Sequence, residues 1–316
     1  MNTAERLLVA SALVLAPVAA GCASVTAAGT APVFSGTPDP TSDTFLVLGD
    51  SRPGFLVEPG PQLDPAGHIE MAERMRDEHP AFVVHTGDIA RVGGLASQWE
   101  IFDRDFAPLR DAGIALWPVF GNHEYIGDDA AGRANYFARF PWLDGHDAYV
   151  RDWRGLRFLL FDSNTDALGA DGVRRTRDWL AAQLERADAD DDVRAVLLVC
   201  HHPPYSNRIR PGESDWVRDV VVPLAAEYPK ARALFVGHVH SYEHFYEGGL
   251  QTIVTGGGGS PLHELLEPGR PGTRPDLYDG DRGFHYCRVR VGARIEVEVV
   301  LRRAPGRWEV VDRFDI

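Results

Sequence analysis

The sequence predicts an α/β fold in which buried strands alternate with amphipathic helices and form layers. Three observations support this prediction. Short, continuous apolar runs recur along the chain, helical patterns separate several of them, and polar residues of a restricted kind follow the runs. The 316 residues, of which 44% are hydrophobic, are sufficient to bury a large core in such a fold.

The apolar runs have the length and composition of strands that are buried on both faces. They lie at 45–48, 82–85, 114–120, 156–161, 193–200, 231–236 and 250–254. Stretches with helical periodicity lie between several of them, at 64–79, 97–113, 172–188 and 214–228. This alternation indicates a series of strand–helix units.

The C-terminal section has a different pattern. Residues 285–291, 294–303 and 307–314 alternate apolar and polar side chains, which is typical of antiparallel strands with one face in solvent. We therefore predict a single domain over 44–316 that begins with strand–helix units and closes with a β-rich section.

The N-terminal sequence predicts an export signal over 1–21. Its apolar stretch, Leu7 to Ala20, is shorter than the ~20 residues that a membrane-spanning helix needs. The sequence VAAGC resembles a bacterial lipoprotein box in which Cys22 carries the lipid, although Ala19 stands where such boxes usually have leucine. The sequence is therefore consistent with two alternatives, a cell-envelope lipoprotein and a secreted protein. Residues 22–43 are predicted to be a flexible linker.

The chain has 32 Lys and Arg against 46 Asp and Glu, which gives a formal net charge of −14. This charge opposes binding to a nucleic acid duplex or to an anionic membrane surface, so we expect membrane association only through an N-terminal lipid anchor. A small anionic ligand would need a local cationic site. Cys200 and Cys287 lie in apolar runs and are predicted to be separate buried thiols.

Polar side chains with metal-binding chemistry follow five of the apolar runs. They are Asp50, Asp88, Asn122 with His123, His201 with His202, and His238 with His240. Each motif alone would be explained more simply as a turn, a helix cap or a packed histidine. Together they lie where open α/β sheets bind ligands, at the carboxyl ends of strands. Oxygen ligands mixed with imidazoles, without thiolates, suit first-row divalent or trivalent metal ions.

The motifs GDSR, TGDI, GNHE, HHPPYSN and GHVHSYEH, in this order, resemble those of the calcineurin-like metallophosphoesterases and, within that family, the purple acid phosphatase-like branch. FDSN at 161–164 and TGGGGSP at 255–261 also resemble that branch. The resemblance extends from about residue 45 to residue 261. It implies a four-layer α/β/β/α sandwich of mixed sheets, with a metal site at the carboxyl ends of the strands.

The resemblance also implies two divalent or trivalent metal ions, of iron, manganese or zinc. Asp88 resembles the carboxylate that bridges both ions. The remaining matched ligands are Asn122, His201 and His238 for the second ion, and Asp50 and His240 for the first.

His123 resembles an outer histidine near the leaving group, which it could protonate, and His202 would contact the phosphate or support the ligands.

Two positions depart from the family pattern. Arg52 stands where many members have a histidine ligand, and Arg91 stands where the purple branch has a tyrosine. A guanidinium does not bind metal, so the first ion could be held more openly, bind weakly or only with substrate, or be absent. Arg52 could bind phosphate oxygens or pair with nearby acids.

The expected activity is hydrolysis of a small phosphorylated substrate, either a phosphomonoester or a small diester, by a metal-bound hydroxide. Substrate choice is expected to depend on three segments predicted to be loops, at residues 53–64, 125–140 and 206–216. The alternative is a catalytically weakened metal-binding surface protein that binds a phosphorylated ligand or a partner. The departure at Arg52 favours this alternative, whereas the complete ligand set of the second ion, together with His123, favours the enzyme.

Overall fold

The computed structural model describes residues 31–54, 64–209, 212–247, 249–266 and 283–316. The predicted export signal, Cys22 and most of the predicted substrate segment 53–64 lie outside these residues. The described residues from Pro32 onward belong to one compact unit. In this part of the chain, no helix is long and apolar enough to cross a membrane.

The strands and helices follow the order that the apolar runs predict. The strands are β1 (Thr44–Leu48), β2 (Phe82–His85), β3 (Ala115–Pro118), β4 (Ala148–Trp153), β5 (Leu156–Phe161), β6 (Ala195–Val199), β7 (Ala231–Val236), β8 (Tyr242–Glu247), β9 (Leu250–Thr255), β10 (His285–Val291), β11 (Ile295–Ala304) and β12 (Arg307–Asp315). The α-helices are α1 (Pro65–Asp77), α2 (Ala96–Asp105), α3 (Ala107–Asp111), α4 (Asp129–Arg139), α5 (Thr165–Asp188) and α6 (Val222–Ala226). Short 3₁₀ turns lie at 123–125 and 141–143, and a π-helical turn at 217–221 precedes α6.

The strands form two mixed six-stranded sheets. The first has the order β12-β11-β10-β1-β2-β3, with β1 to β3 parallel and the C-terminal strands antiparallel. The second has the order β4-β5-β6-β7-β9-β8, with β5, β6, β7 and β9 parallel and both edge strands antiparallel. The antiparallel C-terminal strands confirm the prediction for the tail. Cys200 and Cys287 are buried free thiols, as predicted.

Alternate residues of the central strands face opposite layers. In β1, Phe45 and Val47 face the second sheet, whereas Leu46 and Leu48 pack with residues of α1 and α2. On the other side of the molecule, Leu180 of α5 packs on the outer face of the second sheet. The layers therefore run helix, sheet, sheet, helix, which confirms the predicted α/β/β/α sandwich.

The structure corrects the interpretation of residues 125–140 as a loop. The helix α4 occupies most of this segment and buries Tyr136. Asp128 caps it, because its Oδ1 accepts a hydrogen bond from the backbone N–H of Ala131 at 2.7 Å. The sequence pattern also does not indicate β4 and β8, which are edge strands and carry charged residues that obscure the apolar run.

Residues 32–43 belong to the packed domain, contrary to the prediction of a flexible linker over 22–43. Phe34 is completely buried, and its ring centre lies 5.3 Å from that of Phe102 in α2. The carbonyl of Gly36 accepts a hydrogen bond from Trp117 Nε1 at 2.9 Å. The segment has few apolar residues, so its sequence pattern does not indicate that Phe34 packs in the core. Residues 22–30 lie outside the described part of the chain.

Candidate metal centre

The carboxyl ends of β1, β2 and β3 in the first sheet meet those of β6 and β7 in the second. A polar residue predicted from the sequence follows each of these strands within four positions. The structure brings all the predicted ligands into one group: Asp50, Asp88, Asn122, His201, His238 and His240. The folding of the two parallel strand sets thus assembles the site.

Three of these residues have a left-handed backbone conformation: Asp50 with φ 60°, Asp88 with φ 57° and His238 with φ 67°. Glycine adopts this region freely, and among other residues mainly asparagine, aspartate and histidine do so. Such a conformation costs about 1–3 kcal/mol, so neighbouring contacts must enforce it. One such contact is the hydrogen bond from Asp50 N to the carbonyl of Gly87, 2.9 Å long.

Asn122, His201 and His238 converge on a point that we call the Asn122 position. Asn122 Oδ1 lies 2.9 Å from His238 Nδ1 and 3.1 Å from His201 Nε2. Asp88 Oδ1 lies 3.3 Å from His201 Nε2. His201 Nδ1 donates to the carbonyl of Thr86 at 2.8 Å, so Nε2 of the neutral ring carries a lone pair. A histidine oriented in this way beside oxygen ligands is suited to hold a cation.

Asp50, Asp88 and His240 form a second group, the Asp50 position. These three residues are buried, and their ligand atoms lie within 4.8 Å of one another. His240 Nδ1 donates to the carbonyl of Pro261 at 2.5 Å, and its Nε2 lies 3.4 Å from Asp50 Oδ1. The backbone N–H of His238 donates to Asp50 Oδ2 at 2.9 Å. The donor sets at both positions therefore fit divalent metal ions.

Burial controls the protonation of this site. It lowers the pKa of His240 to about 3, and burial together with the charge of Arg52 lowers the pKa of His123 to about 4. The neutral imidazole, which is the metal-binding form, is therefore favoured near neutral pH. Burial also raises the pKa of Asp50 to about 7. A cation beside Asp50 would lower this pKa again, because it stabilises the carboxylate.

Two predicted catalytic side chains lie next to Asp88. His123 Nδ1 donates to the carbonyl of Arg91 at 2.7 Å, and its Nε2 lies 3.8 Å from Asp88 Oδ2. Arg52 Nε lies 3.6 Å from the same oxygen, and the Arg52 side chain is 5% exposed. Arg91 Nη1 donates to the carbonyl of Gly54 at 2.9 Å.

His202, the third predicted catalytic residue, lies on the other side of the site. Its Nδ1 is 2.9 Å from Ser163 Oγ, and its ring centre is 4.7 Å from that of His238. Ring nitrogens of His201, His202 and His238 lie close enough together to share one ion. His202 is therefore placed either to support the ligands or to approach a phosphate from that side. Ser163 belongs to the FDSN motif, which is the sequence signal for this contact.

Glu124 organises the site but has no role assigned from the sequence. Its Oε1 accepts hydrogen bonds from the backbone N–H groups of residues 89–90 at 2.8 and 3.0 Å. Its Oε2 accepts from Asp88 N at 2.9 Å and from Gly121 N at 2.7 Å. The buried carboxylate thus joins the turn that carries Asp88 to the turn that carries Asn122. Its place at the end of GNHE is the available sequence signal.

The glycine-rich segment 255–261 packs directly against the backbone around Asp50. Gly258 N donates to the carbonyl of Gly49 at 2.7 Å, and Ser260 N donates to the carbonyl of Asp50 at 2.9 Å. A Cβ on Gly258 would lie 2.3 Å from the carbonyl oxygen of Gly49. The TGGGGSP motif therefore provides close backbone support for a candidate ligand.

Replacing Gly237 with alanine is expected to disturb the Asp50 position. The new Cβ would lie 2.4 Å from Asp50 Oδ2 and 2.6 Å from Thr86 Oγ1, well inside van der Waals contact. We expect a loss of about 1–3 kcal/mol in the free energy of unfolding from overpacking. We also expect at least ~10-fold weaker metal binding, because Asp50 Oδ2 accepts the backbone N–H of His238 and its displacement would move that candidate ligand. Urea denaturation and metal titration measure both quantities.

The control is Gly292→Ala, in which the nearest atom to the new Cβ is the Arg294 carbonyl oxygen at 4.0 Å. This variant should retain normal metal binding. Equal metal affinities in Gly237→Ala and the unmodified protein would contradict the packing described above.

Comparison with known proteins supports the fold. The family model for calcineurin-like phosphoesterases matches residues 44–242, which is more than half of the chain. No curated protein matches the sequence at a significant level.

Several solved structures share the fold. A purple acid phosphatase from yellow lupin (Lupinus luteus) seeds aligns with a TM-score of 0.66 at 20% identity, over 89% of this chain and 55% of the lupin chain. A dimetal phosphatase from Danio rerio aligns with a TM-score of 0.60 at 16% identity, over 88% of this chain and 99% of the other. GAP50, the anchor in the inner membrane complex of Plasmodium, aligns with a TM-score of 0.64 at 15% identity, over 86% of this chain and 88% of the other. The present chain thus corresponds to about half of the lupin chain.

Proposed function

Because the chain belongs to the calcineurin-like phosphoesterase family, we propose that it is a metal-dependent hydrolase of a phosphomonoester or a small phosphodiester. The observation that carries this proposal is the convergence of oxygen and imidazole ligands at the Asn122 and Asp50 positions. Metal ions held by these residues would lower the pKa of a water nucleophile and would stabilise charge on the phosphoryl oxygens. The remaining requirements are to position the substrate and to assist departure of the leaving group.

His123 is the candidate for leaving-group assistance. Its Nδ1 is held by the carbonyl of Arg91, so the ring keeps one orientation with Nε2 toward the Asp88 carboxylate. Because Nδ1–H is donated to this carbonyl, Nε2 carries a proton only when the ring is protonated. A phosphate ester beside the ring would favour the protonated form, whose Nε2–H would donate a hydrogen bond or a proton to the departing oxygen. Arg52 and His202 approach the two sides of the site and offer N–H donors to phosphoryl oxygens.

The direct test is hydrolysis of 4-nitrophenyl phosphate and bis(4-nitrophenyl) phosphate by the metal-stripped full chain, before and after addition of Mn²⁺, Zn²⁺, Fe²⁺ or Co²⁺. We expect turnover that depends on metal and that is lost in Asn122→Ala. Absence of turnover of both esters with every metal, in folded protein, would contradict the proposal.

The second candidate function is a metal-binding surface protein with weakened catalysis. Arg52, in place of a metal-binding histidine, is the observation that favours it. A binder would bind metal and a phosphorylated ligand without releasing 4-nitrophenol. The retention of His123 beside a complete Asn122 position favours the enzyme, because a binding protein does not require an acid for the leaving group.

We further propose that the protein is exported, as a cell-envelope lipoprotein or in secreted form, and acts on a small phosphorylated substrate. The support is the N-terminal sequence and the net charge of −14, which opposes binding of extended polyanions. Mass spectrometry of the mature N-terminus distinguishes lipidated Cys22 from simple cleavage.

A further inference from the structure

The two oxygens of Asp88 have different neighbours. Oδ1 accepts the backbone N–H of His123 at 2.9 Å and lies 3.3 Å from His201 Nε2, on the side of the Asn122 position. Oδ2 lies 3.6 Å from Arg52 Nε. One oxygen of Asp88 therefore faces the ligands of the Asn122 position, and the other adjoins a guanidinium.

The position of Arg52 is fixed by the surrounding chain. Its backbone N–H donates to the carbonyl of Asp88 at 3.1 Å, and its carbonyl accepts a hydrogen bond from Ser260 Oγ at 2.9 Å. Its side chain is 5% exposed. A guanidinium does not lose its proton in proteins, so this positive charge is permanent.

We propose that Arg52 replaces one of the two metal ions. The chain then binds a single ion tightly, at the Asn122 position, and the guanidinium supplies the second positive centre beside Asp88. This inference rests on the proposed function, because both require an ion at the Asn122 position.

Charge balance supports one ion. The ionised carboxylates of Asp50 and Asp88 carry two negative charges, and Arg52 and one divalent ion carry three positive charges between them. The small positive excess suits a phosphate ester. A second divalent ion would add two more positive charges in a buried site next to a guanidinium, and like charges at short range in a protein interior repel strongly.

The arrangement also assigns Arg52 a contact with substrate. A planar guanidinium binds two oxygens of a phosphoryl group, as the second ion would otherwise do. The reaction centre would thus combine one exchangeable cation with one that is part of the chain. Loss of metal would remove only the exchangeable cation.

Titration of the metal-stripped full chain with Mn²⁺, followed by elemental analysis and electron paramagnetic resonance, tests the inference without measuring activity. We expect one tightly bound Mn²⁺ with the spectrum of an isolated ion, and any second ion at least ~100-fold weaker because of charge repulsion. In Arg52→Met, which removes the charge and adds no strong ligand, we expect a second Mn²⁺ to bind and the two ions to show magnetic coupling. Arg154→Met, at an exposed arginine whose Nε donates to the carbonyl of Ser42, is the control and should bind one ion.

Two ions of similar affinity in the unmodified chain would overturn the inference and leave the proposed hydrolysis intact. A single ion in folded Arg52→Met would also overturn it, because the guanidinium would then not be the cause of the stoichiometry. Binding of no ion at all would overturn both this inference and the metal dependence of the proposed function. The stoichiometry of the unmodified chain decides the matter even if Arg52→Met does not fold.

Discussion

Replacement of His238 with asparagine is expected to lower kcat/KM for 4-nitrophenyl phosphate at least ~100-fold, because outer partners of metal ligands alone account for 10- to 100-fold. His238 Nδ1 lies 2.9 Å from Asn122 Oδ1 and 3.2 Å from His201 Nε2, at the centre of the Asn122 position. Asparagine tolerates the backbone φ of 67° at this position, so the effect should reflect loss of the ligand and not strain.

Metal binding gives a second measurement in the same variant. An ion at ~1,000 times its Kd stabilises the folded state by about 4 kcal/mol, so adding metal should raise the Tm of the unmodified protein. This increase should be much smaller in His238→Asn.

The matched control is His79→Asn. His79 is an exposed histidine with φ 49°, so the same substitution is made in the same backbone region, away from the site. It should retain normal kcat/KM and normal stabilisation by metal. If His238→Asn behaved like this control, His238 would not be a ligand.

Replacement of Glu124 with glutamine is expected to destabilise the metal-free protein by about 2–6 kcal/mol. The carboxylate accepts four backbone N–H groups, two on each oxygen. An amide offers one oxygen, so two buried N–H groups would lose their acceptor, each at a cost of about 1–3 kcal/mol. The turns that carry Asp88 and Asn122 would also separate, which should weaken metal binding. Urea denaturation in the presence of a chelator measures the change in the free energy of unfolding without a contribution from metal binding.

Glu185→Gln on the exposed face of α5 is the control for the loss of a carboxylate. Its effect on the free energy of unfolding should lie within about ±0.5 kcal/mol. A similarly small effect for Glu124→Gln would show that the four hydrogen bonds do not hold the two turns together.

The sequence predicts the fold and the candidate ligands because both depend on local patterns. The strands that precede the candidate ligands are continuous apolar runs, and each candidate ligand follows such a strand within four positions. The family match and the layered topology confirm the fold and the family, whereas the roles of the individual ligands stay predictions that the variants above test.

Other features depend on contacts between distant parts of the chain and could not be predicted. Glu124 accepts hydrogen bonds from backbone N–H groups up to 36 residues away in the sequence, and no local pattern indicates this. Phe34 joins the core from a segment with the composition of a linker. The distinct neighbours of the two Asp88 oxygens appear only once Arg52 is placed in space. Sequence patterns therefore identify which side chains belong to the site, and packing determines which of them lie next to each other.

The left-handed turns at Asp50, Asp88 and His238 have a consequence for the evolution of this chain. Asparagine fits the same backbone region, and a single nucleotide change converts an aspartate or histidine codon to an asparagine codon. Each of these candidate ligands can therefore be lost in one mutational step without a change in chain path. A descendant could lose the metal ligands and keep the shape of the crevice, so the two functions considered above, hydrolysis and binding, are separated by single substitutions that leave the backbone unchanged.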